Sequence, residues 1–174
     1  MRPSWKIRSE FYLAGGACSS LLAGEEPNDF DFFTRSPFTL SRLGYKPEEE
    51  ENGVAYMKKV SKLKRSKSVH VTANAESTGK LQLITRIVGE PKDVLGKFDF
   101  THCKQYWKPN AFTLGQGKFY AMPGAKEALA EKRLDYQGGS MSTLGAVDRV
   151  QKFVKRGWTI DPASVLRLAT DIQS

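Results

Sequence analysis

Short apolar runs punctuated by glycine, proline and asparagine fill the first part of the chain and predict alternating strands and helices. Residues 11–13 are apolar and run into a glycine pair, which indicates a buried strand, a tight turn and a helix over residues 17–23. Residues 29–33 alternate between polar and apolar side chains, a pattern typical of a strand with two distinct faces. A short helix is expected over residues 36–43, followed by a solvated turn at residues 48–53.

Strand-like segments continue at residues 54–60, 68–72 and 81–88, and a helix at residues 91–95 leads to a last strand at residues 97–102. Helical patterns then dominate residues 125–134, 143–156 and 162–172. The sequence therefore predicts an α+β protein. A head of residues 1–120 carries a mixed β-sheet with flanking helices, and a short all-α segment of residues 121–174 packs on that head.

The composition places the chain among ordinary globular proteins, since 40% of its 174 residues are hydrophobic and 26% are charged. No run of 18 apolar residues occurs, so we expect neither a transmembrane helix nor a membrane partner. The net charge of +8 is unevenly spread: the first 57 residues hold 9 acidic and 6 basic side chains, and the remainder holds 10 and 21. This imbalance indicates a polyanionic partner, which charge alone does not identify.

The two cysteines, Cys18 and Cys103, and the two histidines are too few and too scattered for a zinc site. Reduced thiols are the expected state, which points to a cytoplasmic setting.

Two short motifs carry the candidate chemistry, namely Gly15-Gly16 and, after a spacer of twelve residues, Asp29-Phe30-Asp31. On a strand, Asp29 and Asp31 point to the same face and can share a hard cation such as Mg²⁺. The glycine pair lets the backbone approach an anionic ligand closely. Either motif alone is common in purely structural settings, but their combination favours a phosphoryl- or nucleotidyl-transfer site.

These residues resemble the DNA polymerase β-type nucleotidyltransferase superfamily, in which an apolar residue and Gly-Gly or Gly-Ser precede Asp-x-Asp between apolar residues. The likeness is more specific for the head and neck of CCA-adding tRNA nucleotidyltransferases and bacterial poly(A) polymerases. Residues 15–24, the block Phe98-Asp99-Phe100-Thr101 and residues 149–162 are similar to stretches of that branch. The chain also resembles compact stand-alone members encoded by bacteriophages, which would place it in the host cytoplasm.

The resemblance implies a nucleotidyltransferase head, a helical neck, two Mg²⁺ ions (or Mn²⁺) and an NTP substrate. Asp29 and Asp31 would be catalytic metal ligands, and Asp99 would be either the third metal carboxylate or a contact to the incoming ribose. Nucleotide binding is expected at Gly15, Gly16, Ser19, Ser20, Arg86, Arg149 and Lys152.

The sequence also departs from the family pattern. Ser19 and Ser20 stand where an Arg-Asp pair is usual, and Gln82 stands on the strand where a carboxylate is common. Residues 142–146 hold neither the acidic nor the basic residues of the element that selects C and A in CCA-adding enzymes, so a CCA-adding activity is not expected.

Six of the ten residues 58–67 are basic and are candidates for RNA binding, although lysines that protect a sheet edge are an equal alternative. They are Lys58, Lys59, Lys62, Lys64, Arg65 and Lys67.

The resulting hypothesis is a Mg²⁺-dependent nucleotidyltransferase that transfers NMP from an NTP to an acceptor hydroxyl and releases pyrophosphate. An RNA 3′ end is the preferred acceptor. The alternatives are a toxin-type enzyme that nucleotidylates a protein, and a non-catalytic RNA-binding module on the same fold.

Overall fold

The fold is described by a computed structural model that covers residues 9–50, 53–58, 69–71, 75–78, 80–110, 112–113, 116–138 and 143–173. The strands in chain order are β1 (Phe11–Ala14), β2 (Phe30–Thr34), β3 (Tyr45–Glu50), β4 (Gly53–Lys58), β5 (Val69–Val71), β6 (Ala75–Thr78), β7 (Leu81–Ile84), β8 (Gln105–Pro109), β9 (Gly117–Ala121), β10 (Arg133–Leu134) and β11 (Thr159–Ile160). The helices are α1 (Gly16–Leu22), α2 (Pro37–Arg42), α3 (Pro91–Gly96), α4 (Ala125–Ala130), α5 (Thr143–Lys155) and α6 (Pro162–Gln173), with a 3₁₀ turn at Thr101–Cys103.

A seven-stranded sheet with the order β5-β6-β7-β2-β1-β8-β9 forms the centre of the molecule. Its strands pair antiparallel except for β2 and β7, which run parallel with Asp31 opposite Gln82. The chain is therefore an α+β protein with a mixed sheet, as the sequence predicts. β1 lies inside this sheet between β2 and β8, and three of its four residues are buried, which explains why the segment is apolar.

The helices follow from local signals in the sequence. α2 begins after Ser36, whose side chain accepts a hydrogen bond from the Phe38 amide at 3.2 Å, and both α2 and α3 begin with proline. α3 buries Val94 and Leu95 against Tyr12 and Phe33 of the sheet. No helix within the described ranges is long and apolar enough to cross a membrane.

The C-terminal part is helical apart from the two-residue parallel pairing of β10 with β11. A second hydrophobic cluster joins this part to the head, because Phe100 packs with Leu134, Tyr136, Trp158 and Leu168. The helices α5 and α6 are thus attached to the head through an apolar core that begins at Phe100.

Several local predictions are wrong. Residues 48–50 and Gly53 belong to an antiparallel pairing of β3 with β4, so this part of the predicted solvated turn is strand, and residues 51 and 52 lie outside the described residues. Residues 97–102 do not form a strand: the Cys103 and Lys104 amides bond back to the carbonyls of Phe100 and Thr101 at 3.2 and 3.0 Å, which makes a 3₁₀ turn. The predicted helix at residues 125–134 ends at Ala130, and the strands β6, β8 and β9 were not predicted.

Candidate active site

The glycine pair makes a turn that places the start of α1 beside open space. Gly15 has φ +81° and ψ −143°, a conformation essentially restricted to glycine, and its amide donates to the Gln105 carbonyl at 3.1 Å. A Cβ at Gly15 would lie 3.2 Å from the ring of Phe98. At Gly16, by contrast, no atom of the described residues outside its chain neighbours and its own helix backbone lies within 4 Å of a Cβ position, and this residue lines a cleft.

The two aspartates lie at the start of β2, which begins where the Phe30 amide donates to the Lys80 carbonyl at 2.7 Å. Asp29 precedes the strand and is exposed, whereas Asp31 is partly buried. Burial, reinforced by the negative charge of Asp29, raises the pKa of Asp31 to about 6. The two carboxylates therefore create a concentrated negative potential, which a divalent cation would offset.

A cleft of about 180 Å³ runs between the head and the C-terminal helices. The first part of the chain contributes Gly16, Ala17, Ser19, Ser20, Ala23, Glu25, Asn28, Asp29 and Asp31 to its lining. The later part contributes His102, Leu129, Lys152, Phe153, Arg156 and Trp158. A carboxylate pair, a glycine that leaves room for a ligand, and two cations thus face the same space.

Most of the predicted nucleotide-binding residues lie in or beside this cleft. Gly16, Ser19, Ser20 and Lys152 line it, and Gly15 fixes the turn that leads into it. The Ser19 hydroxyl also has a structural contact, since it donates to the His102 carbonyl at 2.7 Å and ties α1 to the 3₁₀ turn.

The structure does not bring Arg86, Arg149 and Asp99 into the lining of the cleft. Arg86 follows β7, and Arg149 forms an ion pair with Asp99, which is nearly buried. Asp99 lies outside the sheet because residues 97–102 do not pair beside β2, where Gln82 of β7 occupies the neighbouring position. Of the three predicted catalytic carboxylates, Asp29 and Asp31 therefore lie together at the cleft, and Asp99 does not.

The cleft offers the carboxylates of Asp29 and Asp31 as oxygen donors for a metal ion. In the part of the chain that the structure describes, no group of three or more His, Cys, Asp or Glu side chains is arranged to hold a metal. Asp29 and Asp31 alone still suit Mg²⁺, because this ion is commonly held by one or two carboxylates together with substrate phosphates. The chemistry of the pair therefore fits the predicted cofactor.

Sequence reasoning missed the cation Arg156 and the histidine His102. Arg156 forms an ion pair with Glu25, and its guanidinium lies 5.5 Å from the ring centre of Phe153. The sequence contains a signal for Arg156, because residues 152 and 156 of the predicted helix are one turn apart and share a face. His102 is 1% exposed and packs 4.8 and 4.6 Å from the rings of Phe153 and Trp158, and burial lowers its pKa to about 4.

The basic segment of residues 58–67 lies almost entirely outside the described residues. Lys58 ends β4, and Lys59, Lys62, Lys64, Arg65 and Lys67 lie outside the described residues. Their role in RNA binding stays a prediction.

Solved structures of nucleotidyltransferase enzymes share this fold at low sequence identity. A Thermotoga maritima CCA-adding enzyme complexed with tRNA is 17% identical with a TM-score of 0.54, over 97% of this chain and 41% of that one. A Bacillus stearothermophilus CCA-adding enzyme in complex with CTP is 16% identical with a TM-score of 0.52, over 94% and 42%. A tRNA nucleotidyltransferase complexed with a primer tRNA and an ATP analog is 14% identical with a TM-score of 0.50, over 94% and 46%.

The chain thus spans less than half the length of these enzymes, and the likeness shows a nucleotidyltransferase-type fold. No curated protein matches the sequence. A family model described as "Gad2: Gabija anti-defense 2 family protein" matches residues 4–132. Since this match covers most of the chain, the protein belongs to the Gabija anti-defense 2 family.

Proposed function

We propose that this protein is a Mg²⁺-dependent nucleotidyltransferase that transfers NMP from an NTP to an acceptor hydroxyl. The observation that carries the proposal is the convergence of Asp29, Asp31, Gly16, Ser20 and Lys152 on one cleft. A nucleotide needs such a combination, since its triphosphate requires cations and close backbone approach, and its reaction requires a concentrated negative site for metal.

Each residue has a definite role in this proposal. Asp29 and Asp31 hold the metal, which supplies positive charge to the reacting phosphates when it is bound. Gly16 leaves space for the phosphates, and the Ser20 hydroxyl can donate to their oxygens. Lys152 of α5 neutralises part of the triphosphate charge.

The proposed nucleotidyl transfer needs no reactant besides the NTP and the acceptor hydroxyl. The acceptor oxygen forms a bond to the α-phosphorus, and the bond from that phosphorus to the oxygen bridging the β-phosphate breaks. Pyrophosphate leaves, and the acceptor hydroxyl releases its proton to solvent.

An RNA 3′ end is the preferred acceptor. The excess of 21 basic over 10 acidic side chains after residue 57 favours a second polyanion besides the nucleotide. The similarity to enzymes described as complexed with tRNA supports the same choice.

A protein hydroxyl is the second candidate acceptor. Membership of an anti-defense family favours it, because transferring a nucleotide to a defence component would be a direct way to alter that component. A non-catalytic RNA-binding module is the remaining alternative, and the uncharged Gln82 opposite Asp31 is the feature that favours it.

The decisive experiment is nucleotidyl transfer with purified protein. The protein is incubated with each α-³²P-labelled NTP, Mg²⁺ or Mn²⁺, mixed RNA and a bacterial protein extract, and the products are separated by gel. We expect label in RNA, and we expect Asp29→Asn with Asp31→Asn to reduce it at least 100-fold, since the metal would lose both carboxylates. Asp93→Asn, at an exposed site on α3, is the matched control and should retain activity.

The other outcomes separate the alternatives. Label in protein instead of RNA would favour the second acceptor. If no NTP gives label in either fraction, or if the double variant is as active as the control, the proposed activity is wrong.

A further inference from the structure

An ion pair joins the two parts of the chain within the lining of the cleft. Glu25 follows α1, Arg156 follows the last residue of α5, and both residues line the cleft. The Arg156 guanidinium donates a hydrogen bond to the Glu25 carboxylate, although the two residues are 131 positions apart in the chain. A ligand that enters the cleft therefore meets this ion pair.

Both partners are also held by contacts other than the ion pair. The Glu25 amide donates to the Ser20 carbonyl at 2.8 Å, which fixes the backbone of Glu25 at the end of α1. The Arg156 guanidinium lies 5.5 Å from the ring centre of Phe153, a distance typical of a cation–π contact. Phe153 itself packs against the hydrophobic cluster of the C-terminal part. The guanidinium therefore has a support at the cleft that does not depend on Glu25.

The guanidinium of Arg156 is suited to exchange a carboxylate for a phosphate. Arginine binds both groups with the same planar fork of N–H donors, so Glu25 occupies donors that a phosphate oxygen would need. The two side chains are 40% and 44% exposed, and an ion pair that is this accessible to water is weak. A triphosphate carries more negative charge than one carboxylate and can therefore displace Glu25.

The charges around the cleft favour this exchange. Among the described residues that line it, Glu25, Asp29 and Asp31 are acidic, and Lys152 and Arg156 are basic. A divalent cation would offset the charges of Asp29 and Asp31. Release of Arg156 from Glu25 would then add a second side-chain cation to Lys152 for the phosphates.

We infer that Arg156 is a second triphosphate-binding residue of the cleft and that Glu25 competes with the nucleotide for it. The inference rests on the proposed nucleotide site and adds to it a cation and a built-in competitor. It predicts effects of opposite sign, since loss of Arg156 weakens nucleotide binding and loss of the Glu25 charge strengthens it. A purely structural ion pair would give effects of the same sign, because either change breaks the same contact.

Isothermal titration calorimetry tests the inference with two ligands, inorganic tripolyphosphate and α,β-methylene-ATP, each with Mg²⁺ and without an acceptor. We expect Arg156→Gln to weaken the binding of both ligands about tenfold, because charge-assisted hydrogen bonds are lost. Glu25→Gln should strengthen the binding of both about threefold, because the ligand no longer has to break an exposed ion pair. In the double variant, Glu25→Gln should lose most of this effect, since Arg156 is no longer there to be released.

Two control variants remove a charge outside the lining of the cleft. Lys155→Gln removes a cation from the exposed position next to Arg156. Glu90→Gln breaks the exposed ion pair between Glu90 and Arg35, which matches the loss of a paired glutamate at Glu25. Both control variants should bind the two ligands like the wild type.

Four results would overturn the inference. They are weakening by both Arg156→Gln and Glu25→Gln, equal strengthening by Glu25→Gln with and without Arg156, binding of neither ligand by the wild type, and an effect on α,β-methylene-ATP without one on tripolyphosphate. The last result would indicate a contact to the base instead. Label transfer that persists alongside any of them would leave the proposed function standing. Effects of opposite sign without label transfer would support the triphosphate site and contradict the proposed reaction.

Discussion

Gly15 and Gly16 are adjacent but have different physical constraints. Gly15 holds a positive φ and packs its backbone against Phe98, so its role is conformational. Gly16 lies in α1 and faces the cleft with open space at its Cβ position. The absence of a side chain at Gly16 therefore leaves room in the cleft for a ligand. The distinction yields a matched pair of substitutions.

Gly15→Ala should lower the free energy of unfolding by about 1–3 kcal/mol, because the backbone conformation is strained for any residue with a Cβ. Gly16→Ala should leave stability unchanged or raise it by about 0.5 kcal/mol, yet raise the KM for NTP, because its methyl group occupies the space proposed for phosphate. Urea denaturation and steady-state kinetics measure the two effects. Equal stability losses in the two variants would contradict the assigned roles.

The sequence motif was sufficient to find Asp29 and Asp31 because two carboxylates on one strand face need only local alternation to converge. The location of Asp99 could not be predicted from local alternation alone. Phe98, Asp99 and Phe100 alternate like a strand, but the Phe98 amide donates to the Leu95 carbonyl at 3.1 Å, and Phe100 forms an isolated bridge to Tyr136 instead of pairing with β2. The chain turns there instead, and Asp99 pairs with Arg149.

At the scale of elements, α5 connects core packing to the cleft. Ala146, Val147, Val150 and Phe153 contact the hydrophobic cluster, and Lys152 reaches the cleft from a neighbouring face. This division follows from the helical period, since apolar residues three and four positions apart share one face.

Lys152→Ala should raise the KM for NTP roughly tenfold, because it removes a charged contact to the triphosphate proposed for this cleft. Lys155→Ala is the matched control, since it removes another exposed lysine in the last turn of α5 that does not line the cleft. Steady-state kinetics with both variants measures the effect. Equal KM values for the two variants would remove Lys152 from the nucleotide site.

The hairpin of β8 and β9 shows why some elements were not predicted. Its strands contain Pro109, Gly117 and two lysines, residues that are depleted in strands. Their pairing depends on tertiary contacts: the Gly117 backbone lies so close to Trp107 that a Cβ would come within 2.3 Å of the ring. The helices α2 and α3 could be predicted from the sequence, because a proline in the first turn of each helix and the cap residue Ser36 of α2 are local signals for a helix start.

At the scale of the whole molecule, His102 lies where the head meets the C-terminal helices. Its ring packs against Phe100 of the head and against Phe153 and Trp158 of the C-terminal part. A charge on this imidazole would be buried among apolar rings, so its protonation is linked to unfolding.

Stability should therefore fall on acidification. The unfolded chain takes up a proton on His102 below its usual pKa of 6.5, whereas the folded protein resists until the pH approaches 4. Between these values the free energy of unfolding should decrease by on the order of 3 kcal/mol from this residue. Urea denaturation at pH 7.5 and pH 4.5 should show a smaller decrease for His102→Leu, and an identical decrease in wild type and variant would contradict this role.

The sequence by itself determined the α+β class, the glycine turn and the aspartate pair, because these depend on local periodicity and on backbone conformations that few residues allow. The tertiary structure decided which cations face those aspartates, that Asp99 pairs with Arg149, and that β9 carries lysine and aromatic side chains to an edge of the sheet. These features join residues far apart in the chain, and only the packing of α5 and the 3₁₀ turn against the sheet brings them together.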